Sequence, residues 1–262
     1  EANPAERRMI FEEAAGIEGD YAAYCPEEGQ VFDAFAYSLR RAGLRGINVT
    51  LPFKEAALAL ADQASDRAAA AGAANLLLFG PDGIFADNTD GVGLLAALAA
   101  AGFAPQAGPA VVLGAGGAAR GAFAALIAAG APQVRVVNRT AARAEVLAEL
   151  AAGARAFAWT GMAEALAGAA VVVNATSLGM TGQPPLDIDL SALPDTAVVM
   201  DMVYKPLDTP LRQAARTRGL RTADGLSMLI GQAIPAFEGL FGRPPPDIDV
   251  RARCEAVLEP GS

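Results

Sequence analysis

Two side chains in this sequence have the type and setting to move a proton, Lys54 and Asp90. Lys54 ends the polar island Asn48-Val49-Thr50-Leu51-Pro52-Phe53-Lys54, and Asp90 stands in Asp87-Asn88-Thr89-Asp90-Gly91. Both islands interrupt an alanine-rich chain. The chain has no histidine, so the usual general acid–base residue and the commonest metal ligand are missing. Proton transfer near neutral pH then falls to Lys, Asp, Glu, Tyr or Cys, with Lys54 and Asp90 first among them. Blander roles compete. A lone lysine is ordinarily a solvated side chain, Asp90 could cap a helix beginning near Gly91, and Asn88-Thr89 could serve a turn. Asn75 is harder to explain away, because an amide inside the apolar strand Ala74-Asn75-Leu76-Leu77-Leu78-Phe79 must find partners. Gln232 on an apolar helix raises the same question more weakly.

A second constellation suits a dinucleotide. Val112-Leu113-Gly114-Ala115-Gly116-Gly117-Ala118-Ala119-Arg120 carries the G-x-G-x-x-G/A pattern between an expected strand and an expected helix. Gly114 suits the tight turn and Gly116 the close approach of a pyrophosphate, and the helix start behind Gly117 and Ala118 offers N–H donors. The next strand ends in Asn138-Arg139-Thr140-Ala141-Ala142-Arg143, where NAD-binding proteins usually place an acid for the ribose 2′-OH. Arginine at a helix N-terminus opposes the helix dipole by about 0.3–1 kcal/mol each unless an anion sits there. A 2′-phosphate resolves the conflict, with Arg139 pairing or stacking, Thr140 donating from the cap and Arg143 adding charge. NADP(H) is therefore expected rather than NAD(H). Two solvated arginines are the competing reading.

These groups need a scaffold, and the patterning supplies one. Residues 45–50 and 74–79 read as strands, 66–71 as a helix, and Gly80-Pro81-Asp82-Gly83 as a hairpin turn. A helix over 93–101 follows, then a linker over 105–109. Beyond it strands at 110–113, 134–137, 169–173 and 197–202 alternate with helices at 118–129 and 141–151, which implies βαβ units and a parallel sheet covered on both faces. Thr209-Pro210 starts another helix, and a last helix runs from 228 to 241, with Met228 to Ile230 expected in the core. At 262 residues and 53% hydrophobic, the chain can bury two cores. A net charge of −9 argues against a nucleic-acid surface. No run of apolar residues reaches membrane-spanning length, and Cys25 and Cys254 share no metal-ligand spacing. The expectation is a cytoplasmic protein with a small-molecule substrate and no metal.

Taken together and in order, these segments resemble the shikimate dehydrogenase family over nearly the whole chain. To those above add Gly46-Ile47 before the first island, Asn174-Ala175-Thr176-Ser177-Leu178-Gly179-Met180, Asp201-Met202-Val203-Tyr204-Lys205-Pro206, and Asp224-Gly225-Leu226-Ser227-Met228-Leu229-Ile230-Gly231-Gln232. The resemblance implies reversible NADPH-dependent reduction of 3-dehydroshikimate to shikimate, a step toward chorismate and the aromatic amino acids. It implies an α/β protein of two domains with a cleft between them. The N-terminal α/β substrate domain would take residues 1–99 plus 225–262, and the Rossmann-like, doubly wound NADP domain 100–224. Lys54 and Asp90 become the catalytic pair, with the proton donor between them left open. Thr50, Asn75, Tyr204 and Gln232 become substrate contacts, and Thr176, Met180 and Gly225 join Gly114, Gly116, Gly117, Ala118, Asn138, Arg139, Thr140 and Arg143 as cofactor contacts. Hinge closure of a monomer or homodimer fits two chain crossings at one cleft.

One part of the family pattern is missing from the sequence. A Ser-x-Ser segment and a helix His-Asn pair are expected ahead of Gly16-Ile17-Glu18-Gly19-Asp20-Tyr21, yet the chain reads Glu1-Ala2-Asn3-Pro4-Ala5-Glu6-Arg7-Arg8. Either that segment precedes Glu1, or carboxylate recognition has changed, with Arg7 or Arg8 as an electrostatic replacement. Alternatives are a quinate/shikimate dehydrogenase, a paralogue for an amino-substituted analogue, and a non-catalytic nucleotide-sensing module.

Overall fold

The computed structural model describes residues 21–27, 29–50 and 52–258. Arg7, Arg8 and residues 16–20 therefore lie outside the described residues. Within them the chain builds two sheets. The first contains β1 (Gly46–Asn48), β2 (Gln63–Ala64), β3 (Leu76–Gly80) and β4 (Gly83–Asp87) in the order β1-β3-β4-β2. The glycine-bounded turn makes the expected hairpin, with Gly80 opposite Gly83 and Leu76 opposite Asp87. Helices Phe32–Arg41, Lys54–Leu60 and Asp66–Ala71 accompany it. Their apolar faces and the strands enclose Phe32, Ala36, Val49, Leu77 and Ile84, and Phe32 stacks on Phe53 with ring centroids 5.2 Å apart.

The second sheet is wholly parallel. It contains β5 (Ala110–Leu113), β6 (Val134–Asn138), β7 (Arg155–Ala158), β8 (Val171–Asn174), β9 (Val198–Asp201) and β10 (Arg221–Asp224), ordered β10-β9-β8-β5-β6-β7. Along β5, Ala110 and Val112 enter one core while Val111 and Leu113 enter the other. Both faces are covered, which is why these strands read as continuous apolar runs. The edge strands β7 and β10 escaped the sequence pattern because each begins with an exposed arginine; β7 buries only Phe157, and β10 has only one apolar residue, Ala223.

The Gly225–Phe241 helix starts three residues before the expected Met228. Asp224 caps it, accepting the Ser227 N–H at 2.7 Å. The helix packs along the Asp90–Ala100 helix and reaches back to β1 and β3. Met228 packs against the core, but Leu229 is exposed and Ile230 is only half-buried and joins no core cluster, contrary to expectation.

Candidate active site

Two helices begin at one point. Lys54 is the first residue of the Lys54–Leu60 helix and Asp90 the first of the Asp90–Ala100 helix. Their side chains meet, with Lys54 Nζ 2.6 Å from Asp90 Oδ2, each about one-quarter exposed. Asp90 does not cap its own helix; Thr89 holds that position, and the Asp90 N–H donates to Asn88 Oδ1 at 3.1 Å. A carboxylate in the first turn also matches the helix dipole. Asn75 completes the arrangement, donating from Nδ2 to Asp90 Oδ1 and to Thr89 Oγ1, both at 2.9 Å. Its Oδ1 accepts the Thr89 N–H at 2.8 Å. The buried amide has its partners, as its place in an apolar strand required.

Gln232 arrives from the far end of the sequence. Its Oε1 lies 3.2 Å from Asn75 Nδ2 and accepts the Thr89 hydroxyl at 3.1 Å. Two glycines permit this approach: a Cβ on Gly231 would stand 3.1 Å from Gly93 Cα, and one on Gly93 would stand 2.7 Å from the Gln232 nitrogen. Thr89, fully buried, links Asn75 to Gln232. Sequence reasoning assigned it no more than a turn, since no local signal reveals a partner 143 positions away.

Asp87, at the end of β4, supports the same strand edge. It accepts hydrogen bonds from Ser65 and Arg67. Burial pushes its carboxyl up, but the hydrogen bonds from Arg67 and Ser65 and the Arg67 charge outweigh this and hold it below its ordinary value.

The glycine-rich loop lies nearby. The helix that follows it, Gly117–Ala128, packs against the Asp90 helix, and a Cβ on Gly91 would stand 2.9 Å from Ala125 Cβ. In the sheet, β5 has β6 on one side and β8 on the other, so the loops after β5 and β8 flank the topological switch point where doubly wound sheets bind ligands. Gly114 has φ +107°, a conformation that favours glycine, and a Cβ there would stand 3.2 Å from Thr176 Cγ2. Gly116 and Gly117 are exposed with open space where their side chains would be. Bare glycines at a helix N-terminus, the exposed Arg139 just past β6 and the exposed Arg143 in the first turn of the Ala141–Ala148 helix fit a dinucleotide phosphate. Thr140 stands at the N-cap of the Ala141–Ala148 helix and its hydroxyl accepts no helix N–H; Asn138 Nδ2 donates to the Thr140 carbonyl at 2.9 Å.

Thr50, Tyr204 and Met180 are exposed and stay outside the hydrogen-bonded cluster. Gly225 is buried where a Cβ would run into the Met202 and Val203 backbone, so close packing already demands glycine there. Among the described residues no group of three or more His, Cys, Asp or Glu side chains could hold a metal, and no helix is long and apolar enough to cross a membrane.

Comparison with known proteins places this geometry in context. Residues 3–77 match the family model for the shikimate dehydrogenase substrate binding domain, and residues 98–180 that for shikimate / quinate 5-dehydrogenase. The chain is 53% identical over 255 residues to the shikimate dehydrogenase (NADP(+)) of Caulobacter vibrioides (strain NA1000 / CB15N), covering 94% of this chain and 87% of that protein. Shikimate 5-dehydrogenase from Thermus thermophilus, solved in complex with NADP(H) and shikimate, superposes with TM-score 0.79 at 41% identity, over 93% of this chain and 89% of the other. Quinate dehydrogenase from Corynebacterium glutamicum, solved with NAD, superposes with TM-score 0.85 at 30% identity, over 97% and 93% of the two chains.

Proposed function

The chain belongs to the shikimate dehydrogenase family, and from that premise we propose that it catalyses the reversible, NADP(H)-dependent reduction of 3-dehydroshikimate to shikimate. The observation that carries the reading is the Lys54–Asp90 pair at 2.6 Å, beside an open glycine loop and joined through Asn75 to Gln232. NADPH supplies a hydride to the ketone carbon when bound. The ketone oxygen then gains negative charge and must take up one proton.

Lys54 is assigned that proton transfer. Asp90 acts as acceptor at both oxygens, from Lys54 at Oδ2 and from Asn75 at Oδ1. The ammonium has three N–H groups and one acceptor among the described residues, which leaves donors to face the nascent alkoxide. Asp90 orients the ammonium and accepts from a neighbouring substrate hydroxyl. Asn75, Gln232, Thr50 and Tyr204 are assigned to the substrate's hydroxyls and carboxylate. Gly114, Gly116, Gly117 and Ala118 are assigned to the pyrophosphate, and Asn138, Arg139, Thr140 and Arg143 to the adenosine 2′-phosphate. Thr176, Met180 and Gly225 are assigned to the nicotinamide side.

We place the substrate domain at residues 1–99 plus 225–262 and the NADP domain at 100–224, supported by the packing of the Gly225–Phe241 helix on the first sheet. A cytoplasmic monomer or homodimer completes the reading. Two unpaired cysteines agree with a reducing compartment. The test is a spectrophotometric assay of NADP⁺ and NAD⁺ reduction with shikimate and quinate. Turnover of shikimate with NADP⁺ is expected. If NADPH binds but neither acid is oxidised, the assignment is wrong; preference for quinate would favour the quinate branch of the family.

A further inference from the structure

Asp201 is a buried carboxylate that none of the roles above uses. It ends β9, is fully buried, and among the described residues meets no cation within hydrogen-bond distance. The charged groups around it belong to neighbouring elements. Asp224 stands opposite it in register at the end of β10. Arg212, from the Pro210–Thr217 helix, is 3.4 Å from Asp224, and Arg251 also pairs with Asp224, at 2.9 Å. An unpaired interior carboxylate is costly, so its acceptor capacity must matter where it sits.

Its three hydrogen bonds divide between two loops. Asp201 Oδ1 accepts from Asn174 Nδ2 at 2.9 Å and from the Val203 N–H at 3.0 Å, while Oδ2 accepts from the Thr209 hydroxyl at 2.7 Å. A carboxylate can only accept, so Asn174 must turn its NH2 toward it. Asn174 Oδ1 then faces the other way and takes both the N–H and the hydroxyl of Thr176, at 3.0 and 2.7 Å. The second Asn174 proton goes to the Leu178 carbonyl at 3.1 Å, and Thr176 Oγ1 accepts the Leu178 N–H at 3.1 Å. On the other side, Val203 precedes Tyr204, and Thr209 caps the Pro210–Thr217 helix. The loops also touch directly, through Thr181 N–H to the Lys205 carbonyl at 2.9 Å.

We infer that Asp201 is a positioning residue for hydride transfer: by fixing the orientation of the Asn174 amide it sets residues 174–180 and 203–209 as one unit, joining the nicotinamide-side Thr176 and Met180 to the substrate-side Tyr204. The inference rests on the dehydrogenase reading above, and its structural half stands without it. Asp201 acts by accepting hydrogen bonds, so an amide of the same shape keeps the unit together and an apolar side chain does not.

The experiment compares Asp201→Leu, Asp201→Asn and Asn174→Ala with the wild-type protein. Three readouts are taken: kcat and KM, the isotope effect with shikimate deuterated at the carbon that is oxidised, and the fluorescence of bound NADPH. Asp201→Leu and Asn174→Ala should lower kcat about 10- to 100-fold and raise the isotope effect, with bound-NADPH emission moving toward that of the free cofactor; Asp201→Asn should recover most of the loss. A purely structural role would reduce the folded fraction and melting temperature while leaving the isotope effect and the bound-cofactor emission at wild-type values, and that result overturns the inference. If Asp201→Leu does not fold, Asn174→Ala decides by the same criteria. If the wild-type protein does not oxidise shikimate, the dehydrogenase reading fails, and the NADPH emission of the variants still decides the inference.

Discussion

Gly93 and Gly231 meet where the Asp90–Ala100 and Gly225–Phe241 helices cross, and a Cβ on Gly231 would stand 3.1 Å from Gly93 Cα. The crossing lies one turn from Asp90 and one residue from Gln232, so the spacing of two helices sets the reach of both side chains. Gly93→Ala forces the helices apart, since the added methyl meets the Gln232 backbone. A stability loss of about 1–3 kcal/mol is expected, with KM for shikimate raised and NADPH affinity unchanged. Denaturant melts and steady-state kinetics check it; an unchanged KM would show that Gln232 does not depend on this contact.

For Lys54→Ala, kcat should fall by about 10²–10⁴-fold, the usual worth of a positioned acid. The secondary structure and NADPH affinity should persist, because Lys54 opens a short helix beside the first sheet and is not among the residues assigned to the cofactor. Turnover within a few-fold of wild type would remove it from the mechanism.

Arg139 is exposed at the end of β6, and the 2′-phosphate is what separates NADPH from NADH. Arg139→Ala should weaken NADPH binding by about 1.5–3 kcal/mol, the range for a hydrogen bond to a charged group, and leave NADH binding nearly unchanged. Titration of both cofactors tests it, and equal losses would refute the assignment.

The buried carboxylates set opposite pH dependences. Asp87 and Asp224 are lifted by burial but held below their ordinary values, Asp87 by Arg67 and Ser65, Asp224 by Arg251 and Ser227. What they contribute to stability is fully present above the unfolded carboxyl value of about 4 and is lost as pH falls through the folded values. Asp201 behaves the other way. Burial raises it despite hydrogen bonds from Thr209, Val203 and Asn174, so its contribution is present at low pH and lost as pH rises through its folded value. Asp201→Asn should therefore match or exceed wild-type stability at pH 7–8, with the advantage shrinking toward pH 4. Arg67→Gln should cost about 1–3 kcal/mol at pH 7, by weakening the pairing of a buried carboxylate, and less near pH 3. Melting temperatures across pH check both.

Much of this molecule is written locally. The β5 strand and the glycine turn after it are legible because an apolar run ends at residues suited to a positive φ and a close phosphate approach. The hairpin at Gly80 and Gly83 and the Asp66–Ala71 helix were equally readable. Edge strands β7 and β10 were not, because β7 buries only Phe157 and β10 has only Ala223 to carry a hydrophobic pattern.

The sequence by itself determined which residues were chemically unusual: Lys54 and Asp90 in a chain without histidine, Asn75 in an apolar strand, arginines where a helix begins. Tertiary structure alone decided who meets whom. Lys54 and Asp90 are 36 positions apart and Asn75 and Gln232 157, and no local pattern encodes a contact closed by packing two helices on one sheet. The same holds for Thr89, ordinary in its own segment, and for Asp201, whose part emerged once β8 and β9 lay side by side. Hydrophobic periodicity specifies which face of an element is buried, whereas long-range pairing follows from how the buried faces fit together.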